Sequence, residues 1–315
     1  MEDMVSSIRQ KAKKELKTIV LPEGSDPRVI KAIEIIQREK IANLVVLTKE
    51  TLNPQKVKEY AEAYYSLQQH KGVSQDQASM IVSDPLTYAA MMVRQGEADG
   101  FVAGAVYTTA SVARAAFQCL GLDKRFSVMC SCFIMCAENP KFGHNGVLLF
   151  ADCGVIPDPS PRQLANIALI TAELVKQVLD IEPIVAMLSY STKGSASGRF
   201  VDKVKEAVTL AKNLAPDLIV DGELQVDAAL VPEVAKTKDP DGKIAGRANV
   251  LIFPNLEAGN ISYKLVERLA NARAIGPIIL GLNFPCSDLS RGCGVEDIVD
   301  CVAVTSVRSQ KPHGK

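Results

Sequence analysis

The stretch Thr18-Ile19-Val20-Leu21-Pro22-Glu23-Gly24-Ser25-Asp26-Pro27 determines the fold class that we predict for this chain. Its first four residues are β-branched or apolar and predict a strand. Ser25 or Asp26 can then cap a helix that has Pro27 in its first turn. A second strand is predicted at 43–48. A strand, a helix and another strand form a crossover unit, so we predict parallel strands.

The alternation of short apolar runs and helical stretches continues along the chain. Further strands are predicted at 100–103, 127–136, 146–151, 183–188, 218–220, 248–253 and 277–281. Further helices are predicted at 56–69, 74–95 (one or two helices), 109–120, 160–179, 200–214, 259–272 and 295–306. The pattern indicates an α/β fold with largely parallel sheets, in which 127–136 and 146–151 are antiparallel neighbours.

The length of 315 residues corresponds to about two domains. The rhythm of strands and helices breaks around 127–155, and we expect the last helix to return to the first domain. The predicted domains are 1–138 plus 288–315, and 139–287. Residues 1–17 predict an amphipathic helix with Val5, Ile8, Ala12 and Leu16 on one face, and we expect the polar tail after Ser309 to fray.

Composition excludes several classes of protein. The chain has 36 Lys and Arg against 36 Asp and Glu, so the basic excess of a nucleic-acid-binding protein is missing. No run of about 18 apolar residues predicts a transmembrane helix, and the charged N-terminal segment is not a secretory signal. We therefore expect a cytoplasmic protein without nucleic-acid or membrane partners.

Eight Cys without a CxxC pair predict reduced, mostly buried thiols, and only three His argue against a metal site.

Two loops that follow predicted strands have compositions that suit anions. Loop 103–109, ahead of the helix that carries Arg114, has small and hydroxyl residues at a helix N-terminus, where free N–H groups suit an anion. Capping by Thr108 or Thr109 explains the same residues. Loop 189–199 combines five Ser or Thr with two Gly and two cations, which suits a phosphate or polar ligand. A solvated flexible loop is the alternative.

Two further loops contain carboxylates. Loop 221–227 has three, which suit acid–base chemistry or a metal, although we expect Asp227 to cap the next helix. Loop 287–297 places a hydroxyl and a guanidinium beside a glycine turn, with acids in the next helix. Arg binds phosphate, Ser can stabilise an oxyanion and Asp can accept a proton. The alternative is a turn followed by Glu296 and Asp297 compensating the helix dipole.

Two common site motifs are missing: no GxGxxG follows a strand, and no GxSxG is present. The residues alone therefore indicate an α/β enzyme that acts on anionic, phosphorylated substrates without a metal.

Taken together, eight segments resemble the phosphate acetyltransferase (phosphotransacetylase) family in its short form, in order and spacing over nearly the whole chain. They are 98–105 (ADGFVAGA), 150–153 (FADC), 187–196 (MLSYSTKGSA), 221–229 (DGELQVDAA), 248–254 (ANVLIFP), 257–264 (EAGNISYK), 288–293 (DLSRGC) and 295–298 (VEDI). The resemblance implies two isocitrate/isopropylmalate dehydrogenase-like α/β domains with the active site in a cleft between them, and a homodimer. It also implies reversible acetyl transfer between coenzyme A and phosphate, with acetyl phosphate, without a metal or other cofactor.

The resemblance also assigns roles to residues. Asp297 matches the base that deprotonates the thiol of coenzyme A, Ser290 the hydroxyl that stabilises the tetrahedral intermediate, and Arg291 the residue that holds phosphate. The substrate-binding residues it implies are Arg114, Thr109, Ser191, Lys193, Lys71 and Cys293. Cys293 also suggests a covalent acyl-enzyme, but it matches a family cysteine that we interpret as structural.

The chain departs from the family pattern at two places. Gln68 stands where the family has an arginine implicated in binding coenzyme A, so Lys71 is a candidate substitute. Tyr107-Thr108-Thr109-Ala110-Ser111 replaces a segment that begins with histidine. The alternative functions are a phosphate butyryltransferase, and a catalytically weak protein that binds acetyl phosphate or coenzyme A.

Overall fold

The computed structural model describes residues 2–310 and divides the chain into two units. The middle unit is Val128–Ile275 with Met1–Met4, and the terminal unit is Val5–Ser127 with Gly276–Lys315. The tail beyond Ser309 was expected to fray, and its residues 311–315 lie outside the described part of the chain.

Strands and helices follow the predicted alternation closely. The strands are β1 (Thr18–Leu21), β2 (Asn43–Val46), β3 (Gly100–Ala103), β4 (Cys130–Cys136), β5 (Val147–Ala151), β6 (Ile184–Leu188), β7 (Ile219–Leu224), β8 (Val250–Ile252), β9 (Arg273–Leu280) and β10 (Cys286–Asp288). The helices are α1 (Glu2–Lys14), α2 (Pro27–Glu39), α3 (Pro54–Gln68), α4 (Gln75–Val82), α5 (Pro85–Arg94), α6 (Thr109–Leu120), α7 (Pro161–Leu174), α8 (Arg199–Leu214), α9 (Val226–Leu230), α10 (Pro232–Lys238), α11 (Leu256–Leu269) and α12 (Val295–Ser309). Short 3₁₀ turns follow β2 and α3, at Lys49–Thr51 and Gln69–Lys71, and a π-helical turn at Val175–Leu179 extends α7.

Each unit contains a mostly parallel sheet, which confirms the predicted α/β class. In the terminal unit the strand order is β2-β1-β3-β10-β9, and β9 alone runs antiparallel to its neighbour β10. In the middle unit the order is β4-β5-β8-β6-β7, with β4 and β5 forming the predicted antiparallel pair.

The division between the units differs from the predicted boundaries at 138 and 287. Strand β4 pairs with β5, so it belongs to the middle unit although it precedes residue 138. Strand β10 pairs with β3, which draws the chain from Gly276 onward into the terminal unit. The sequence prediction lacked β10 because three residues give almost no periodic signal.

Helix α12 is largely buried in the terminal unit, with its side chains from Ile298 to Arg308 buried. The Arg308 guanidinium donates to the carbonyls of Cys286 and Ile279, each at 2.9 Å, which compensates for burying its charge. Asp26 caps α2 by accepting the Arg28 N–H at 2.8 Å, with Pro27 in the first turn as predicted.

Two predictions about buried side chains have different outcomes. The predicted apolar face of α1 is confirmed for Val5, Ile8 and Ala12, but Leu16 lies beyond the end of the helix and is exposed. All eight cysteines are buried thiols outside any disulfide, as predicted. Within residues 2–310, no helix combines the length and apolarity that crossing a bilayer requires.

Gly104 supports a test of how closely the loops after β3 and β10 pack. Its φ is 115°, and a Cβ there would meet the Asp288 carboxylate and the Leu289 backbone. Gly96 also has a positive φ, 76°, but its Cβ would have no neighbour within 4 Å. We expect Gly104→Ala to lower the free energy of unfolding by about 2–4 kcal/mol, and Gly96→Ala by about 1–2 kcal/mol. Urea unfolding measures both losses, and equal losses would contradict the close packing.

Candidate active site

Three loops of the terminal unit leave the sheet at the same edge. Strand β1 is the parallel neighbour of β3, and β3 is the parallel neighbour of β10, with Asp288 opposite Ala103. The loops that follow these strands, 22–26, 104–108 and 289–294, therefore start side by side. The carboxyl ends of parallel strands are where ligands bind in such sheets.

The carboxylate of Glu23 occupies the N–H groups of the loop after β3. It accepts hydrogen bonds from Gly104 (3.0 Å), Ala105 (2.9 Å), Val106 (2.8 Å) and Tyr107 (2.8 Å). The loop does bind an anion, but that anion belongs to the chain itself. These four N–H groups are therefore occupied within the chain, and the predicted anion site at the start of α6 stays a prediction.

The start of α6 is organised by capping, as the alternative prediction had it. Thr108 caps the helix by accepting the Ser111 N–H at 3.2 Å, and Thr109 is its first residue. The Tyr107 hydroxyl donates to both oxygens of Asp84, which caps α5. Arg114 is exposed further along α6, and its guanidinium has no partner among the described residues.

Ser290, Arg291 and Asp297 lie on one connection, between β10 and the first turn of α12. The Ser290 and Arg291 side chains are exposed, and the Ser290 hydroxyl oxygen accepts the Gly292 N–H at 3.3 Å. Within the described part of the chain, the Arg291 guanidinium has neither an ion pair nor a hydrogen bond. Asp297 is half-buried, and its Oδ2 accepts the Gly294 N–H at 2.8 Å. The contact caps the helix and leaves Oδ1 available to another donor.

Cys293 follows in the same turn but is 7% exposed. Burial raises the pKa of its thiol to about 11, although Arg28 acts in the opposite direction. The nucleophilic form of cysteine is the thiolate, so this thiol is inert near neutral pH. The burial supports the structural interpretation of Cys293 rather than the acyl-enzyme alternative, and it keeps the thiol away from a ligand in this conformation.

At the end of α3, Gln68 and Lys71 differ in exposure. Gln68 is buried, and its amide donates to the Gln118 carbonyl at 2.9 Å. Lys71 is exposed at the end of the following 3₁₀ turn, with Nζ 5.4 Å from the centre of the Phe117 ring. Lys71 therefore presents the positive charge at this corner, where position 68 contributes only packing and a hydrogen bond.

The predicted binding residues Ser191 and Lys193 belong to the middle unit, where both have partners within the chain. Ser191 is fully buried and donates to Glu223 at 2.9 Å. The Lys193 ammonium pairs with Asp221 at 2.8 Å. Burial alone would raise the pKa of Asp221, but its hydrogen bonds to Lys193 and Lys212 outweigh burial and lower it. These contacts explain the polar composition of loop 189–199 by internal bonding.

Asp227, the third carboxylate of loop 221–227, does not cap α9. Gln225 is the capping residue, and Asp227 lies inside the first turn, where it accepts the Ala228 N–H and pairs with Lys238 at 2.8 Å. The helix begins earlier than the sequence indicated, which moves Asp227 inside it. Across residues 2–310, no group of three or more His, Cys, Asp or Glu side chains could hold a metal ion.

Asp288 is a feature of the site that the sequence analysis missed. Its side chain is fully buried at the end of β10, and neither carboxylate oxygen has a hydrogen bond of normal geometry. Burial raises its pKa to about 7; the nearby Thr109 hydroxyl and Leu289 N–H lower it, and the charge of Glu23 raises it further. Only its position two residues before Ser290 signalled it in the sequence.

The raised pKa of Asp288 predicts a pH-dependent stability. Its ordinary value is 3.8, so the folded state holds the proton more tightly than the unfolded state does. The free energy of unfolding should therefore fall as pH rises from about 4 to about 7, and stay low above that range. Asp288→Asn cannot ionise, so its stability relative to the parent should rise by up to about 1.4 kcal/mol per pH unit in this window. Urea unfolding of the parent and of Asp288→Asn between pH 4 and pH 8 tests this prediction. A difference between their free energies of unfolding that does not change with pH would contradict it.

Comparison with known proteins places this chain in a family. A family model described as phosphate acetyl/butaryl transferase matches residues 3–306. A phosphate acetyltransferase of Thermoanaerobacterium thermosaccharolyticum is 48% identical, covering 98% of this chain and 99% of the relative. A solved phosphotransacetylase from Streptococcus pyogenes is 37% identical with a TM-score of 0.91, covering 98% and 99%. The EutD phosphotransacetylase from Staphylococcus aureus is 35% identical with a TM-score of 0.86, covering 98% of both chains. The chain belongs to the phosphate acetyl/butaryl transferase family.

Proposed function

We propose that this chain is a phosphate acetyltransferase that transfers an acetyl group reversibly between coenzyme A and orthophosphate. The observation that carries the proposal is the connection 290–297, which presents an exposed hydroxyl, a guanidinium without a partner among residues 2–310 and a half-buried carboxylate from one short segment. A relative nearly half identical over the whole chain has the same activity in its name. Acetyl phosphate, which the family resemblance implies, belongs to the class of anionic, phosphorylated substrates that the loops predict.

In the proposed reaction, Arg291 binds the phosphate group of acetyl phosphate. A guanidinium matches phosphate through two parallel hydrogen bonds, and the Arg291 guanidinium has no competing partner among residues 2–310. Arg114 on α6 is likewise exposed and adds positive charge that favours an anionic substrate. The two arginines supply the charge stabilisation that acyl transfer needs, so we propose a reaction without a metal ion.

Asp297 acts as the base in this proposal. It takes the proton of the coenzyme A thiol through Oδ1, and the thiolate attacks the carbonyl carbon of acetyl phosphate. Ser290 donates to the carbonyl oxygen as it becomes an oxyanion. The tetrahedral intermediate then collapses: the bond to the phosphate oxygen breaks, the proton held by Asp297 passes to the departing phosphate, and acetyl-CoA and hydrogen phosphate leave. The inert thiol of Cys293 favours this direct transfer over a covalent acyl-enzyme.

Coenzyme A itself needs a contact for its nucleotide phosphates, and Lys71 is the residue we propose for it. Its ammonium is exposed beside the Phe117 ring, whereas the Gln68 side chain next to it is buried.

We also propose a cytoplasmic homodimer. The exposed apolar stripe Ile261, Leu265 and Leu269 on α11 supports an interface, because apolar patches of this kind mark association surfaces.

A direct assay tests the function. Acyl-CoA formation is measured from coenzyme A with acetyl phosphate and, separately, butyryl phosphate, with EDTA present. We expect fast turnover of acetyl phosphate, and a loss of about 10²-fold or more in Arg291→Ala because charge stabilisation is removed. Arg38→Ala on α2, where the side chain is 71% exposed, is the matched control and should keep full activity.

Other outcomes of this assay would change the conclusion. Preference for butyryl phosphate would identify a butyryltransferase, and loss of activity in EDTA would contradict the metal-free mechanism. Binding of substrates without turnover would indicate the catalytically weak binding protein. Equal activity of Arg291→Ala and Arg38→Ala would contradict the assignment of the site.

The role of Asp297 has a separate test. In Asp297→Asn the amide oxygen can still accept the Gly294 N–H, so the cap of α12 is retained while the base is lost. We expect kcat for acetyl-CoA formation to fall by about 10²–10⁴-fold, with the melting temperature close to that of the parent. The rate of acetyl-CoA formation is measured with saturating coenzyme A, and an unchanged kcat would rule out Asp297 as the base.

A further inference from the structure

We propose that Arg28 is a positioning residue that holds the backbone of Arg291 where its side chain can bind the substrate phosphate; this rests on the proposed function. Arg28 lies in the first turn of α2, and nothing in the sequence analysis singled it out. Its guanidinium connects the loop after β3 with the turn that follows β10. It donates to the carbonyls of Ala105 at 2.7 Å, Arg291 at 2.7 Å and Cys293 at 3.2 Å.

The hydrogen-bond inventory of Arg28 separates a positioning role from substrate binding. A guanidinium has five N–H donors. Two of them bond Asp26, from Nε to Oδ1 at 3.0 Å and from Nη2 to Oδ2 at 2.8 Å. The other three bond the carbonyls of Ala105, Arg291 and Cys293. All five donors are used inside the protein, so Arg28 has none to offer a phosphate.

The Asp26 contact fixes the direction of the guanidinium. The paired hydrogen bonds lower the pKa of Asp26 and raise that of Arg28, so both stay charged across the neutral range. Asp26 is itself held as the cap of α2. The guanidinium is therefore anchored on a helix, which makes it a rigid support for the carbonyls it bonds.

The supported turn needs such a contact. Its other hydrogen bonds are internal: the Cys293 N–H donates to the Ser290 carbonyl at 2.8 Å, and the Gly292 N–H to the Ser290 hydroxyl at 3.3 Å. Gly292 and Gly294 add backbone freedom on either side of Cys293. The Arg28 contacts tie this turn to α2 and to the loop that Glu23 holds. A misplacement of about 1 Å at a binding group can cost about 10²-fold in rate.

Arg28→Lys tests the proposal, because lysine keeps the charge but has three donors and no planar fork. We expect kcat of the full-length protein to fall by about 10-fold or more, because the backbone of Arg291 is held less firmly and its side chain then binds phosphate less well. The comparison that decides is the same substitution in the Arg291→Ala background. That background retains the carbonyl that Arg28 bonds but lacks the side chain that it positions.

If Arg28 acts through Arg291, Arg28→Lys should reduce the residual rate of Arg291→Ala by less than about 2-fold. The same fold-loss in both backgrounds would overturn the proposal, because a general effect on stability or folding acts on both. An unchanged rate in the Arg28→Lys single variant would overturn it as well. Arg38→Lys on the same helix is the matched control and should leave both rates unchanged.

Two further measurements keep the outcome clear. Binding of inorganic phosphate, followed by calorimetry, should weaken in Arg28→Lys but show no further change when the substitution is added to Arg291→Ala. This readout needs no turnover, so it tests Arg28 even where the acetyltransferase assay fails for the parent protein. Should Arg28→Lys not fold, Asp26→Asn replaces it in the same cycle: asparagine still caps α2 but loses the charged pair that orients Arg28.

Discussion

Four backbone N–H groups converge on the carboxylate of Glu23, and the candidate site depends on this interaction. The loop 104–107 has no sheet or helix partners for these donors, and an unpaired buried donor costs about 1–3 kcal/mol. The carboxylate, only 7% exposed, is in turn compensated by the donors. Each side needs the other, so the loop after β1 and the loop after β3 form one rigid element at the edge of the sheet.

Arg28, five residues after Glu23 and in the first turn of α2, complements it. Glu23 accepts from the N–H groups of the loop after β3, and Arg28 donates to carbonyls of that loop and of the turn 290–293. The segment 23–28 thus satisfies backbone N–H groups with the carboxylate of Glu23, and backbone carbonyls with the guanidinium of Arg28. These contacts satisfy the irregular backbone around the site internally, while the exposed guanidiniums of Arg291 and Arg114 have no partner among residues 2–310 and can take an anionic ligand.

The sequence predicted the local part of this arrangement and missed the long-range part. The strand β1, the capped helix α2 and the start of α6 follow from neighbouring residues, so their patterns are readable. The partners of Glu23 lie more than eighty residues away, and no local pattern announces them. Ser191 and Lys193 show a second kind of long-range contact that composition does not reveal: in a loop whose composition suits phosphate, they bond Glu223 and Asp221, and their role in substrate binding stays a prediction. The roles of Ser290, Arg291 and Asp297 came from the family resemblance, because a short polar turn has the same local pattern whether or not it is catalytic.

Asp288 contrasts with Glu23 although both carboxyls are buried beside the same loops. Glu23 accepts hydrogen bonds from four backbone N–H groups, whereas Asp288 lacks a well-formed hydrogen bond and is stabilised as the neutral acid. An anionic ligand bound at Ser290 and Arg291 adds negative charge a few residues from Asp288, which favours the neutral form further. By linkage, protonation of Asp288 must favour the same ligand by the same free energy. In the proposed site, the stability of the terminal unit and the affinity for phosphate therefore both depend on the protonation of Asp288.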